Sequence, residues 1–177
     1  SRKKLGNKNR GEQQGVFWVK FAQKQPRQEM GFKIKEINIF DRLTLEKASL
    51  LISEHSWGNN YPIKPIDEIS KAEYCVGAYY NNELIGFAAV SRFASPDGKD
   101  NGKLWLGYAV VVPKFRKQGI FQKLYNLRMK WAKEKSEPLF SCTDNPIIEK
   151  FLLSHKWYLI RETKDESGAV CNVFKYQ

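Results

Sequence analysis

From Gly31 onward the chain changes between the period of a strand and the period of a helix several times. Phe32, Ile34, Ile37 and Ile39 fall at near-alternate positions, which predicts a strand ending near Asp41. Asp41 or Thr44 then caps a helix with Leu45, Ala48 and Ile52 on one face, running to about His55. The stretch SWGNNYPIKPIDEISKAE is polar and aromatic and is broken by Gly58, Pro62 and Pro65, so it reads as a loop. CVGAYY and ELIGFAAVSRF flank Asn81-Asn82, a hairpin signal, because both turn positions favour residues that tolerate left-handed backbone. LWLGYAVVVP is almost continuously apolar, as befits a central strand covered on both faces. Past Pro113 the period becomes helical, with Ile120, Leu124, Leu127 and Trp131 in step to about Lys135. PLFSC predicts a strand, Asn145-Pro146 a capped helix start with Ile148, Phe151, Leu152 and His155 on one face, and WYLIRET and AVCNVFKY a closing hairpin. The predicted order is β-α-β-β-β-α-β-α-β-β, an α/β (α+β) domain.

Composition narrows the class. The 177 residues are 42% hydrophobic and 14% aromatic, enough for one core, and no apolar run approaches the length of a membrane span. Three cysteines without metal-ligand spacing and two histidines argue against a disulfide scaffold or a metal site, which fits a reducing, cytoplasmic setting. The net charge of +11 is uneven: residues 1–29 carry eight Lys/Arg against two acids, and the remainder is only mildly basic. Residues 1-29 therefore read as a basic arm or extension and residues 30-177 as the domain, the arm's one apolar asset being Val16 to Ala22.

The informative segment is Val111-Val112-Pro113-Lys114-Phe115-Arg116-Lys117-Gln118-Gly119-Ile120-Phe121. A strand passes through a basic, glycine-containing turn into a helix. Such a turn presents unpaired backbone N–H groups at the positive end of the helix dipole, and Arg116 and Lys117 add full charges, so it is suited to an anion. In this order the run resembles the acetyl-CoA loop of the GCN5-related N-acetyltransferases, Arg/Gln-x-x-Gly-x-Gly/Ala after a Val-x-Pro strand end. The resemblance covers about residues 31 to 177. It implies a mostly antiparallel mixed sheet with helices on both faces and a V-shaped splay between the cofactor strand and the next. It also implies acetyl-CoA as co-substrate, held by Val110, Val111 and Val112, by Arg116, Lys117, Gln118, Gly119, Ile120 and Phe121, and by Asn145. Phe121 replaces the family's final Gly/Ala, Leu152 stands where a tyrosine usually protonates the departing thiolate, and Lys156-Trp157 stands for Gly-Phe.

With that tyrosine absent, Tyr108 on the central strand and His155, one helical turn past Leu152, become the candidate proton-transfer groups, each with a packing role as the alternative. A backbone N–H of the Ala109 to Val112 stretch is the expected carbonyl polariser. Cys142 is either an acyl-accepting thiol or a small buried hydrophobe. Glu54, Trp57 and Tyr61, with Asp67 and Glu68, lie where the family builds its acceptor pocket, with solvated surface charge the favoured alternative for the acids and loop packing the alternative for the aromatics. The expected function is direct acetyl transfer from acetyl-CoA to a primary amine of a small molecule or peptide, with no metal and no membrane partner. The alternatives are a CoA-binding module weakened in catalysis and a nucleic-acid- or ribosome-associated protein using the basic arm; a homodimer is a further possibility through the Val16 to Ala22 patch.

Overall fold

A computed structural model of the chain describes residues 31–177, so the basic arm, the Val16 to Ala22 patch and the boundary at Met30 lie outside the described residues. The elements are β1 (Lys33–Ile37), α1 (Arg42–Ile52), α2 (Pro65–Ile69), β2 (Tyr74–Tyr80), β3 (Glu83–Ser91), β4 (Leu104–Val111), α3 (Ile120–Lys133), β5 (Leu139–Thr143), α4 (Pro146–Ser154), β6 (Trp157–Lys164) and β7 (Val170–Tyr176). Seven strands form one sheet in the order β1-β2-β3-β4-β5-β7-β6, antiparallel except at β4–β5.

Local chemistry accounts for most of these elements. Asp41 caps α1 by accepting from the Thr44 amide at 3.1 Å. It therefore opens a helix, and the preceding strand stops at Ile37, short of the expected end. Asn81 and Asn82 both take left-handed backbone (φ 49° and 64°), the twist a two-residue hairpin needs. The stretch expected to be a loop contains α2, which starts at Pro65 with Asp67 and Glu68 in its first turn. Proline there is a helix start rather than a break, because the first helical N–H has no partner to lose. After α1 the chain continues as a π-helical turn, Ser53–Trp57, which ends at Gly58.

Two cores cover the two faces of the sheet. On one, Leu45, Ala48 and Ile52 of α1 and Ile69 of α2 pack with Phe87, Ala89 and Val110. On the other, Ile120, Leu124, Tyr125 and Met129 of α3 and Leu152 of α4 pack with Val90, Leu106 and Phe174. The buried stripe of α3 differs from the expected one, since Tyr125, Arg128, Met129 and Ala132 are inside while Leu127 and Trp131 are only half-buried.

Pairing between β4 and β5 is confined to Leu104–Leu139, Trp105–Phe140 and Leu106–Ser141. Beyond Leu106 the strands part, which is the V that the family resemblance implies. The register of β4 on β3 shifts between Phe87 and Ala89, and within that bulge Tyr108 has φ +57°. The extra residue resets the alternation of β4. Leu106 faces α3 and Tyr108 faces α1, although both occupy even positions.

Candidate active site

The turn from β4 into α3 is a single turn of tight helix, Pro113–Phe115, followed by Arg116 in extended backbone. Lys117 (φ +62°) and Gly119 (φ +79°) are both left-handed. At Gly119 a side chain would meet no heavy atom within 4 Å, so the glycine serves the backbone conformation and the free space above it. The first backbone bond of α3 runs from the Lys123 amide to the Gly119 carbonyl, which leaves the N–H groups at the start of the helix turned outward. Left-handed turns and a helix N-terminus together form an anion cradle. Lys117, Gln118 and Gly119 are exposed on it.

Arg116 is tied into the fold by its side chain. Its Nε donates to the Val111 carbonyl at 2.9 Å and one terminal nitrogen donates to the His55 carbonyl at 3.3 Å, so the guanidinium ties the loop to β4 and to the π-helical turn. Phe121 does not crowd the cradle, because its ring meets Phe151 of α4 edge-on at 5.1 Å. Asn145 caps α4 through its side-chain oxygen, which accepts from the Ile147 amide at 2.9 Å, leaving its amide nitrogen for other use.

On the splayed edge the donors also resolve. The Val112 amide donates to Ile85 of β3 at 2.9 Å, so it is not available to a ligand as expected. Val110 pairs with Phe87 and its side chain is in the α1-side core, whereas strand alternation turns the N–H groups of Ala109 and Val111 toward the gap.

On the α1 side of the gap, Trp57 lies 4.6 Å from Tyr61 and 5.9 Å from Tyr108 between ring centroids. The Tyr108 hydroxyl donates to Glu68 at 3.4 Å, and Tyr61 donates to Glu166 of the β6–β7 turn at 2.7 Å. Burial first, and then the Glu68 carboxylate, raise the Tyr108 phenol above its ordinary value. Burial followed by the bond to Glu166 does the same at Tyr61. Glu54 is not part of this wall: it is exposed and its described ion pair is with His55, at 3.5 Å.

The two proton-transfer candidates are not brought together. Tyr108 faces α1, and His155 lies among α3 and α4, stacked on Phe151 at 3.9 Å with its Nδ1 2.7 Å from the Phe151 carbonyl. It lines a groove of about 540 Å³ with Tyr125, Met129, Lys130, Lys133 and Tyr176. Leu152 is 3% exposed within the core. Lys156 has φ +69°, which explains the family's glycine at that position and marks this chain's lysine as strained. Burial pushes the Cys142 thiol up to about 12, with nearby acidic groups adding to it, so a thiolate is disfavoured there.

Two groups lay outside the sequence reading. Glu166 is an exposed acid in a turn, and no sequence signal joins it to Tyr61, 105 residues away. Arg128 had a signal, since it falls four and eight residues after Leu124 and Ile120 on their face. It is 3% exposed, and its Nη1 lies 3.5 Å from the carbonyl of Gly107, where β4 leaves β5. Among the described residues no cluster of three or more His, Cys, Asp or Glu is placed to hold a metal ion, and no helix is long and apolar enough to cross a membrane.

Comparison with known proteins is consistent with this geometry. The family model described as acetyltransferase (GNAT) family matches residues 44–147. A solved protein of Pyrococcus horikoshii OT3 is similar at 14% identity and TM-score 0.64 over 83% of this chain and 98% of that one. An acyl-CoA N-acyltransferase from Pseudomonas aeruginosa is similar at 12% identity and TM-score 0.64, over 83% and 100%. An aminoglycoside 6'-N-acetyltransferase complexed with coenzyme A is similar at 15% identity and TM-score 0.60, over 81% and 95%. Among curated proteins none matches the chain.

Proposed function

The chain belongs to the GNAT acetyltransferase family, and from that premise we propose that it transfers an acetyl group from acetyl-CoA directly to a primary amine. The observation that carries this reading is the conjunction of the left-handed cradle at Lys117 to Gly119 with the gap that opens beside it beyond Leu106. A pyrophosphate fits the cradle's outward N–H groups, and an extended pantetheine arm fits an unpaired strand edge. Acetyl-CoA supplies the activated thioester. The Ala109 and Val111 amides are placed to donate to a carbonyl oxygen in the gap, where charge develops during attack.

Direct transfer is favoured over a covalent intermediate because the one thiol near the gap, Cys142, is held protonated. Tyr108 is the candidate acid. Its phenol stays protonated at neutral pH, and it protonates the leaving thiolate by turning its single O–H from Glu68 to the sulfur, the phenolate then regaining a proton from water. The acceptor amine approaches from the Trp57, Tyr61 and Tyr108 side. The soluble, cytoplasmic setting expected from composition is part of this proposal.

Gly119→Asp tests it. A carboxylate on the cradle, with a side chain forced to φ +79°, should abolish calorimetric CoA binding and acetyl-CoA turnover while thermal unfolding stays cooperative. Unchanged affinity in a folded variant would place the cofactor elsewhere.

A further inference from the structure

The wall that borders the gap on the α1 side has a chemistry of its own. Trp57 lies between Tyr61, at 4.6 Å, and Tyr108, at 5.9 Å, too close to admit a ligand between the rings but forming a continuous aromatic surface with Tyr108 at one end and Tyr61 at the other. At its far end Tyr61 holds one oxygen of Glu166, and the other oxygen takes part in no described hydrogen bond. The carboxylates along the wall differ in how far they are already neutralised. Glu68 shares its charge between Tyr108 and Lys71, the latter at 3.8 Å. Asp165, next to Glu166, is in no described salt bridge and turns its Oδ1 into its own turn, accepting from the Ser167 and Ala169 amides. Glu166 enters none of the described salt bridges, in a chain with 30 basic and 19 acidic residues.

An aromatic surface ending at an unneutralised carboxylate favours a cation. The ring faces attract positive charge within about 6 Å, and the carboxylate adds a Coulombic term that neither a neutral nor an anionic group can use. We propose that the acceptor carries a second positive charge besides the amine that is acetylated, and that Trp57, Tyr61 and Glu166 select it. The inference rests on the acetyltransferase reading for the position of the reacting amine, at the Tyr108 end of the wall. It commits to a substrate class, cationic amines with at least two charged centres.

Three matched probes isolate the charge: 1,5-diaminopentane, 1-aminopentane and 5-aminopentanoate, repeated with the eight-carbon series so that length is not the deciding variable. Each is titrated calorimetrically into the full chain saturated with CoA, and each is assayed for CoA release from acetyl-CoA. In at least one series the diamine should bind about tenfold more tightly than both partners. That preference should shrink severalfold in Trp57→Ala and in Glu166→Gln, with CoA affinity unchanged in both. Glu166 is exposed, so its variant remains informative even where the half-buried Trp57 variant unfolds. Equal binding of the three probes in both series, or a diamine preference that survives Glu166→Gln, overturns the inference. Diamine-selective binding without CoA release supports the site and overturns acetyl transfer. Equal CoA release from all probes does the reverse.

Discussion

Arg116 donates its Nε to the carbonyl of Val111 at 2.9 Å, so the arginine of the β4–α3 loop is bound to the strand that precedes it. The second strap, to His55 at 3.3 Å, reaches the π-helical turn. A guanidinium can hold two carbonyls in fixed directions because its donors form a rigid fork, and an ammonium of equal charge cannot. The cradle's shape thus rests on Arg116, and on the proposed reading its anion affinity would come mainly from backbone N–H groups.

Arg116→Lys should accordingly lower CoA affinity about tenfold although charge is conserved, the loss of one to two oriented hydrogen bonds. Lys117→Ala should have a smaller effect that fades with added salt, because Lys117 is exposed and acts through screened charge. Calorimetry of CoA binding at two ionic strengths separates them. Wild-type affinity in Arg116→Lys would show that the straps do not shape the site.

Tyr108→Phe removes the hydroxyl that meets Glu68 and should lower kcat by about 10²-fold with little change in acetyl-CoA KM, the usual scale for loss of a positioned acid. The pH dependence has a definite sign. Since the pKa is raised above its ordinary value near 10, Tyr108 remains protonated throughout the assay range. The alkaline side of the wild-type rate profile should therefore show no loss attributable to it below pH 10, and the Phe variant should keep the same profile shape at a lower level. A variant with unchanged kcat would remove Tyr108 from the chemistry.

The legible and illegible parts of this molecule divide along a physical line. Asn81-Asn82, Asn145-Pro146 and Gly119 were readable because each solves a local problem, a twist, a cap or a positive φ, within a few residues. The bulge at Tyr108 was not. A tyrosine at φ +57° is held there by the surrounding sheet, and simple alternation places its ring on the wrong face. The contacts of Tyr61 with Glu166 and of Arg128 with Gly107 join distant segments, and α2 was hidden because its proline start resembles a break. The turn at Gly119 was therefore visible as a motif and Trp57 and Tyr61 through the family resemblance, whereas their contacts with Tyr108 and Glu166, made between distant segments, emerged only in the fold.

Arg128 offers a test in which stability and activity move in opposite directions. Burial pushes its pKa down to about 10, which corresponds to a cost of roughly 3 kcal/mol for keeping the cation charged at neutral pH, and none of the described salt bridges includes it. A lowered folded pKa means that this cost is present at neutral pH and is relieved only as pH rises through the folded value. Arg128→Met should raise Tm by a few degrees by removing the charge, and should lower turnover by freeing the Gly107 carbonyl beside the bulge. Calorimetric Tm and steady-state kinetics on the same preparation decide it. A variant that is both less stable and fully active would mean that the arginine is an ordinary packing element.

The closed end of the V is fastened by a different arginine, and there the effect of acid can be foreseen. Arg161 of β6 grips Asp97 with two bonds, 2.8 and 3.0 Å, and Asp100 with a third at 3.1 Å, tying the β3–β4 loop to the far side of the sheet. The pair is largely enclosed, with side-chain exposures of 18% and 11%. The Arg161 bond, foremost among its causes, holds the Asp97 carboxyl well below the usual carboxylate range. A depressed folded pKa contributes stability that is complete above the unfolded value, near 4, and is lost as pH falls through the folded one. Arg161→Met should therefore cost about 3 kcal/mol at pH 7, where the Asp97 carboxylate loses the guanidinium, and progressively less on acidification below pH 4 as that carboxylate takes up a proton. Because Trp105, at the start of β4, donates its indole N–H to the Asp100 carbonyl, the same change should loosen the strand whose far end borders the gap, and CoA affinity should fall with stability. Urea unfolding of wild type and variant at pH 7, 4 and 2.5 measures the difference; a gap that stays constant across that range would show that the carboxylate pairing is not its source.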